Sequence, residues 1–304
     1  MEYVLEANML TKRYRHFVAL NGVSMRIPKG AIYGFVGRNG AGKTTLIRLI
    51  CGLQEPTSGY YTLYGTENGN ARIDKSRRRM GAVVETPSIY PEMTAEGNIR
   101  QQYQVLGIPS EQGISELLHL VGLTETGKKK VKDFSLGMRQ RLGIAVALAG
   151  EPDFLVLDEP VNGLDPQGII EIRELILRLN RERGITVLIS SHILDELSRV
   201  ATHYGFIDGG RMIIEMSAKE LEMRCRKCIQ AEVSNTGALS RVLDNMEVEY
   251  RIIDRHTADI YASIPVTRLV EALAKENCAV LNLKERDESL ESFYMNLVGG
   301  VHHA

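Results

Sequence analysis

Two short stretches of this sequence carry residue types suited to phosphate chemistry. The first, Gly37-Arg38-Asn39-Gly40-Ala41-Gly42-Lys43-Thr44, matches GxxxxGK[ST]. Its three glycines let a loop wrap so that backbone N–H groups point inward at phosphate oxygens. Lys43 brings a point charge to the β- and γ-phosphates of a nucleotide, and the Thr44 hydroxyl is a ligand for Mg²⁺. The second, Phe154-Leu155-Val156-Leu157-Asp158-Glu159, is an apolar run ending in two adjacent carboxylates. Asp158 stands where nucleotide hydrolases with such a loop help to hold magnesium. Glu159 beside it is placed to accept a proton from an attacking water. Alone, the second stretch reads better as two solvated acids at a strand end; beside the first it reads as the other half of a nucleotide-hydrolysing site.

The elements around these stretches are the ones that must position them. The first follows the apolar run at 32–36 and opens a helical pattern in which Leu46, Leu49, Ile50 and Leu53 share a face. After the second, Ile169, Ile172, Ile176 and Leu179 share a face, with Glu174 and Arg178 spaced for an i,i+4 pair. A third run occupies 186–189. Short continuous apolar runs bounded by polar residues or glycine are buried parallel strands, covered by helices on both sides. Repeated strand–loop–helix units place ligand chemistry at the strand carboxyl ends, and a helix starting near Gly42 adds its positive end. Residues 1 to about 30 read as antiparallel strands, because Val23, Met25 and Ile27 alternate with Ser24 and Arg26. Residues from about 87 to 150 are mostly helical in pattern and would form a separate lobe, and Asp208-Gly209-Gly210-Arg211 reads as a hairpin turn.

Beyond residue 217 the chain becomes more charged and the phosphate motifs stop. Strand candidates at 229–233, 248–253, 259–264 and 279–283 alternate with helical stretches at 237–245 and 266–276, a βαββαβ order that suggests a ferredoxin-like domain. The expected fold is α/β over residues 1–217, with an antiparallel β subdomain and a helical lobe, followed by a small α+β domain over 218–304.

The composition, 44% hydrophobic and 25% charged, is that of an ordinary globular protein. Thirty-seven basic residues against 38 acidic ones leave a formal charge of −1, which gives no reason to expect a nucleic acid as partner. The Lys128-Lys129-Lys130 run reads as a solvated loop. No stretch approaches the ~20 apolar residues of a membrane helix, and the charged N-terminus is unlike a signal peptide, so a cytoplasmic location is expected. Four cysteines are too few and too scattered for a disulfide scaffold. Cys225 and Cys228 form a CxxC without the further ligands zinc needs, and read better as solvent-facing thiols on a helix.

The remaining segments resemble ATP-binding cassette (ABC) ATPases in both order and spacing, over about residues 3–215, some 70% of the chain. Phe134-Ser135-Leu136-Gly137-Met138 sits where the ABC signature, LSGGQ, belongs. Asn162-Gly163-Leu164-Asp165-Pro166 resembles the D-loop, and Ser190-Ser191-His192 the switch-histidine segment. Tyr14 occupies the place of the aromatic that stacks on adenine; taken alone it is equally a core or surface tyrosine, and His192 a structural histidine. Within the family the chain is similar to a bacterial subgroup that includes bacitracin- and lantibiotic-export ATPases. There FSLGM replaces LSGGQ, and a C-terminal SLE..F..L.G segment closes the chain, here Ser289-Leu290-Glu291 through Phe293 to Leu297 and Gly299.

The resemblance implies ATP as substrate with Mg²⁺, and a head-to-tail dimer of ATPase subunits, homo- or heteromeric. In such a dimer Lys43, Thr44, Thr45, Glu85, Asp158, Glu159 and His192 lie on one side of the nucleotide, with Ser135 and Gly137 of the other subunit reaching across. His192 orients the water and γ-phosphate, and Asp165 couples the two sites. It also implies a separate transmembrane permease that holds the ATPase on the inner face of the cell membrane, for export of a peptide, antibiotic or lipid-like compound. Two positions depart from the pattern. The signature has Leu136 for its first glycine and Met138 for glutamine. Glu85 stands where glutamine is usual; it can still approach magnesium or water, and reads equally as an altered signal to the permease or as a neutral variant. The rivals are a regulator or sensor that transports nothing, and a soluble ABC protein of translation or repair. Against the latter, the chain has one cassette, and about 90 residues without sustained heptads separate Lys43 from Ser135.

Overall fold

The apolar runs that precede the two phosphate stretches lie near the centre of one six-stranded sheet. The computed structural model describes residues 2–225, 228–262, 264–286 and 290–300, in two units, 1–218 and 219–304. In the first unit the sheet order is Arg211–Ser217, His203–Asp208, Ile32–Val36, Thr186–Ser191, Phe154–Asp158, Met80–Val83. All but the antiparallel edge strand Arg211–Ser217 run parallel. Every residue of Ile32–Val36, Phe154–Asp158 and Thr186–Ser191 is buried, as strands covered on both faces must be. Register then brings the site together. Val36 is level with Ser191 and Asp158 with Ser190, so three chain segments leave the sheet side by side at its carboxyl end.

A four-stranded antiparallel sheet, ordered Phe17–Pro28, Tyr3–Tyr14, Ser58–Leu63, Thr66–Glu67, covers the helix Lys43–Ile50. Val23, Met25 and Ile27 are buried while Ser24 and Arg26 are exposed, and Leu5, Leu20 and Ile27 share a core with Leu46, Ile50 and Phe154. The helical portion contains Ala95–Leu106, Gly113–Leu120 and Leu136–Leu148. The first of these is capped by Thr94, whose hydroxyl accepts from Gly97 N at 3.0 Å, and ends at Gly107 in the left-handed region. Among the described residues, no helix is long and apolar enough to cross a membrane.

Three local expectations change. The helix Lys43–Ile50 stops before Leu53, which is 64% exposed instead of sharing the buried face. On Pro166–Arg183 the buried stripe is Ile172, Leu175, Ile176 and Leu179, with Leu175 in place of Ile169. Arg178 does not serve Glu174 but donates to the Leu120 carbonyl, because a helix packed beside another segment offers its guanidinium a better-placed acceptor than a solvated carboxylate.

The second unit has its own core. Strands Cys228–Val233, Tyr250–Ile252, Thr257–Ile260 and Val280–Arg286 form an antiparallel sheet in the order Tyr250–Ile252, Thr257–Ile260, Cys228–Val233, Val280–Arg286. Helices Thr236–Asn245 and Val266–Lys275 bury Leu239, Leu243, Leu269 and Leu273 against Ile229, Ala231, Ala258 and Ile260, a βαββαβ layout. A further helix, Leu290–Gly300, carries buried Phe293 and Val298; Ser289 lies outside the described residues. Cys228 is buried, in contrast to the solvent-facing helical thiol expected, because the helix Ala218–Cys225 has already ended and Cys228 opens a strand paired with Val280–Arg286. Since each unit carries a separate core, a chain ending at residue 218 is expected to fold and to bind nucleotide. Circular dichroism and an ATP titration check this, and an unfolded or aggregated product would contradict it.

Candidate functional site

Between Val36 and the helix Lys43–Ile50 the chain turns tightly on glycine. Gly42 has φ +108°, and a Cβ there would lie 2.7 Å from the Ala19 carbonyl oxygen, so no other residue fits. A Cβ on Gly37 would lie 2.6 Å from the Ile207 carbonyl oxygen. Ala41 N closes the loop by donating to the Arg38 carbonyl at 3.1 Å. The helix then begins with no side-chain cap and no acid in its first turn. Its first N–H groups and the positive end of its dipole are left to an anion from elsewhere. A cleft of about 300 Å³ runs along this loop, lined by Asn39, Gly40, Gly42, Lys43, Thr44 and Thr45, together with Glu159 and Asn162.

Lys43 is only 5% exposed, and its ammonium donates to the carbonyls of Gly37 at 2.6 Å and Arg38 at 3.2 Å. It also stands 3.1 Å from Glu159 Oε1. Glu159 Oε2 is 2.7 Å from His192 Nδ1, so the carboxylate lies between an ammonium and an imidazole. Backbone geometry aims it there. Glu159 has φ +50°, a left-handed conformation that costs a non-glycine residue about 1–3 kcal/mol. Its N–H is held by Ser190 Oγ at 3.0 Å and the Ser190 carbonyl at 3.2 Å. The same Ser190 hydroxyl donates to Asp158 Oδ1 at 2.5 Å, fixing both carboxylates from the neighbouring strand. Behind them, burial first and the Asp158 charge second push the Cys51 thiol up to about 12, which keeps it protonated and inert.

Other expected site residues lie elsewhere. Ser135 caps the helix Leu136–Leu148, its hydroxyl accepting from Met138 N at 3.2 Å, and Asp165 caps Pro166–Arg183, accepting from Gly168 N at 3.3 Å. These two helix starts pack on one another: a Cβ on Gly163 would lie 3.4 Å from Leu136, and one on Gly137 3.8 Å from Leu164. Ser135, Gly137 and Asp165 thus form a cluster that does not line the cleft. Glu85, also left-handed at φ +59°, gives its carboxylate to Arg48 at 2.6 Å on the phosphate-loop helix. Tyr14 bonds through its hydroxyl to Gln54 Oε1 and does not line the cleft, whereas Phe17 does. Phe17, Arg48, Ser190 and Asn162 are not legible as individual site residues in the sequence. Of these only Ser190 and Asn162 carried a signal, as members of the Ser190-Ser191-His192 and Asn162-Gly163-Leu164-Asp165 segments.

The donors present suit magnesium as a companion of phosphate. The Thr44 hydroxyl and the buried Asp158 carboxylate are hard oxygens, the type Mg²⁺ takes, usually one or two at a time alongside substrate phosphates and water. Among the described residues no group of three His, Cys, Asp or Glu could hold a metal without such help.

Comparison with known proteins agrees with this geometry. Residues 20–162 match the ABC transporter family. The bacitracin transport ATP-binding protein BcrA of Enterococcus faecalis is 37% identical over 99% of this chain and 98% of its own length. The lantibiotic transport ATP-binding protein SrtF of Streptococcus pyogenes is 44% identical over 70% of this chain and 90% of its own. Among solved structures, CbiO1 of Clostridium perfringens, part of the ABC transporter complex CbiONQ, superposes with a TM-score of 0.66 at 28% identity, covering 73% of this chain and 92% of that one. A dimeric ATP-binding cassette in a post-hydrolysis state, bound to ADP and Pi, gives 0.64 at 25% identity over 70% of this chain and 98% of that one. With a phosphate loop, two ordered carboxylates and relatives matched from end to end, the chain belongs to the ATP-hydrolysing ATP-binding proteins of the ABC transporter family.

Proposed function

We propose that this protein powers export of a peptide antibiotic of the bacitracin or lantibiotic kind through a permease formed by another chain, bound to it at the cytoplasmic face of the membrane. The observation that carries the reading is the extent of the likeness: a bacitracin transport ATP-binding protein matches 99% of the chain, second unit included. Soluble repair or translation proteins would not be matched in this way. The regulator reading has no comparable support.

The residues divide the work as follows. Backbone N–H groups of residues 37–45 hold the phosphates, and Lys43 neutralises their charge. Thr44 and Asp158 would hold Mg²⁺, which when bound offsets charge on the phosphate oxygens, with Glu85 as a further oxygen ligand once released from Arg48. Any phosphate drawn to Lys43 competes with Glu159 for the same ammonium 3.1 Å away. Glu159 is then left to take a proton from water, and His192, 2.7 Å from it, to orient water and the γ-phosphate. Because Ser135 and Gly137 do not line their own chain's cleft, they are suited to close the cleft of a partner copy in a head-to-tail dimer. Asp165, packed beside them, connects the two sites. Closure on ATP and loosening after hydrolysis would be passed to the permease by rigid-body motion.

The experiment is to isolate the native membrane complex, co-express its permease in a sensitive strain, and measure tolerance to bacitracin and to a lanthionine peptide. Tolerance to at least one is expected to rise, and to return to the starting level with Lys43→Ala. No rise for either peptide would end the export reading and leave the ATPase reading standing.

A further inference from the structure

A carboxylate close to the site, unused by the chemistry described so far, lacks a partner. Glu196 stands on the short helix Leu194–Ser198, one turn beyond His192, and its Oε2 is buried without a hydrogen-bond donor among the described residues. A buried acceptor left in that condition costs stability, and native proteins keep few of them. Glu196 lines a recess of about 20 Å³ whose wall is otherwise mostly apolar, with Pro160, Val161, Ile189 and Leu197. Arg173, midway along the helix Pro166–Arg183, is the cation on that wall, and it too has no ion pair among the described residues. Opposite charges thus border one recess without being joined.

The recess lies directly behind the reacting groups. Pro160 and Val161 follow Glu159, Ser191 precedes His192, and Arg173 belongs to the helix that Asp165 caps. Neither Arg173 nor Glu196 lines the nucleotide cleft. In this structure Glu159 engages His192 at 2.7 Å. A γ-phosphate that draws His192 from that carboxylate also moves Glu196, four residues further on the same segment. Opposite charges in a poorly solvated recess attract more strongly than in water. A contact missing in one state and made in another is a differential interaction, which a ligand needs if it is to bias an equilibrium.

We propose that Glu196 and Arg173 are positioning residues for hydrolysis: they pair when His192 turns to the γ-phosphate, and the pair ties the His192 segment to the helix Pro166–Arg183. This rests on the reading of Glu159 and His192 as the groups that act on water. Glu196 and Arg173 act only through His192.

Glu196→Gln and Arg173→Gln should each lower kcat for ATP by about tenfold, the loss of one charged hydrogen bond in the transition state, with KM little changed. The double variant should lose no more than the more damaged single one, since either change alone removes the pair. Thermal melts separate this from a role in the fold. Without nucleotide, Glu196→Gln should melt no lower than the wild type, because the buried oxygen it alters has no partner to lose. With Mg²⁺ and the β,γ-imido analogue of ATP, the rise in Tm should be about 2–4 °C smaller in either single variant than in the wild type. Wild-type kcat in both single variants, additive losses in the double, or equal falls in Tm with and without nucleotide overturn the proposal. Wild-type turnover in His192→Ala is a different failure, that of the site reading, and the nucleotide-dependent melts still decide whether the pair forms.

Discussion

Glu159→Gln is expected to lower ATP turnover by about 10²–10⁴-fold, the usual contribution of a positioned general base. The amide keeps the shape and one accepting oxygen, but cannot take a proton. The geometry adds a second consequence. Glu159 Oε1 is 3.1 Å from the Lys43 ammonium, and a neutral amide no longer competes with phosphate for that charge. ATP should therefore bind the variant at least as tightly as it binds the wild type. Unhydrolysed nucleotide between Lys43 of one subunit and Ser135 of another should also shift the variant from monomer towards dimer, to an extent set by both nucleotide and protein concentration. Light scattering after size exclusion, with and without Mg-ATP, reads the association, and phosphate release reads the rate. Near-normal turnover would remove Glu159 as the base. Lost turnover without an ATP-dependent dimer would keep the base and direct attention to Leu136 and Met138 in the signature segment.

Lys43→Ala should weaken ATP binding by about two orders of magnitude or more, since charged hydrogen bonds to two phosphate groups are lost together. The fold should survive the change. Although Lys43 is 5% exposed, the carboxylate it leaves behind is 20% exposed and still has His192 at 2.7 Å, so no charge is stranded in the interior. The Gly37 and Arg38 carbonyls lose a donor, at a cost of about 1–3 kcal/mol for the buried Gly37 bond and less at exposed Arg38. The measurements are a nucleotide titration and a thermal melt on the same sample. Wild-type affinity would overturn the assignment of the loop, whereas an unfolded variant would show that the Lys43 contacts hold the loop together in the absence of any phosphate.

Several features of this protein are decided by residues near one another in sequence, and these are legible without coordinates. A loop that wraps phosphate needs glycines within one turn of a lysine, and residues 37–44 state that requirement in eight consecutive positions. A buried parallel strand must be continuously apolar, so the runs ending at Val36 and Asp158 announce both the α/β sheet and the end of it at which the chemistry stands. Family membership follows from several such local segments in fixed order. What local pattern does not contain is which of two plausible partners a side chain takes. Glu159 meets Lys43 from 116 positions away because Thr186–Ser191 lies between their strands, a matter of sheet order that no periodicity encodes. Glu85 reads in sequence equally as an altered signal to the permease or as a neutral variant, and only packing presents Arg48 to it. Tyr14 and Phe17 sit three residues apart on a hairpin, both aromatic and both exposed in part. Which of them reaches the cleft depends on the backbone of the second strand pressing on Gly42, a contact made in three dimensions. Residue type and spacing determined the chemistry available to this chain; the pairing of charges and rings across the sheet end was decided by the tertiary structure, because contacts between distant segments depend on strand order and register, which are set by the packing of the whole unit.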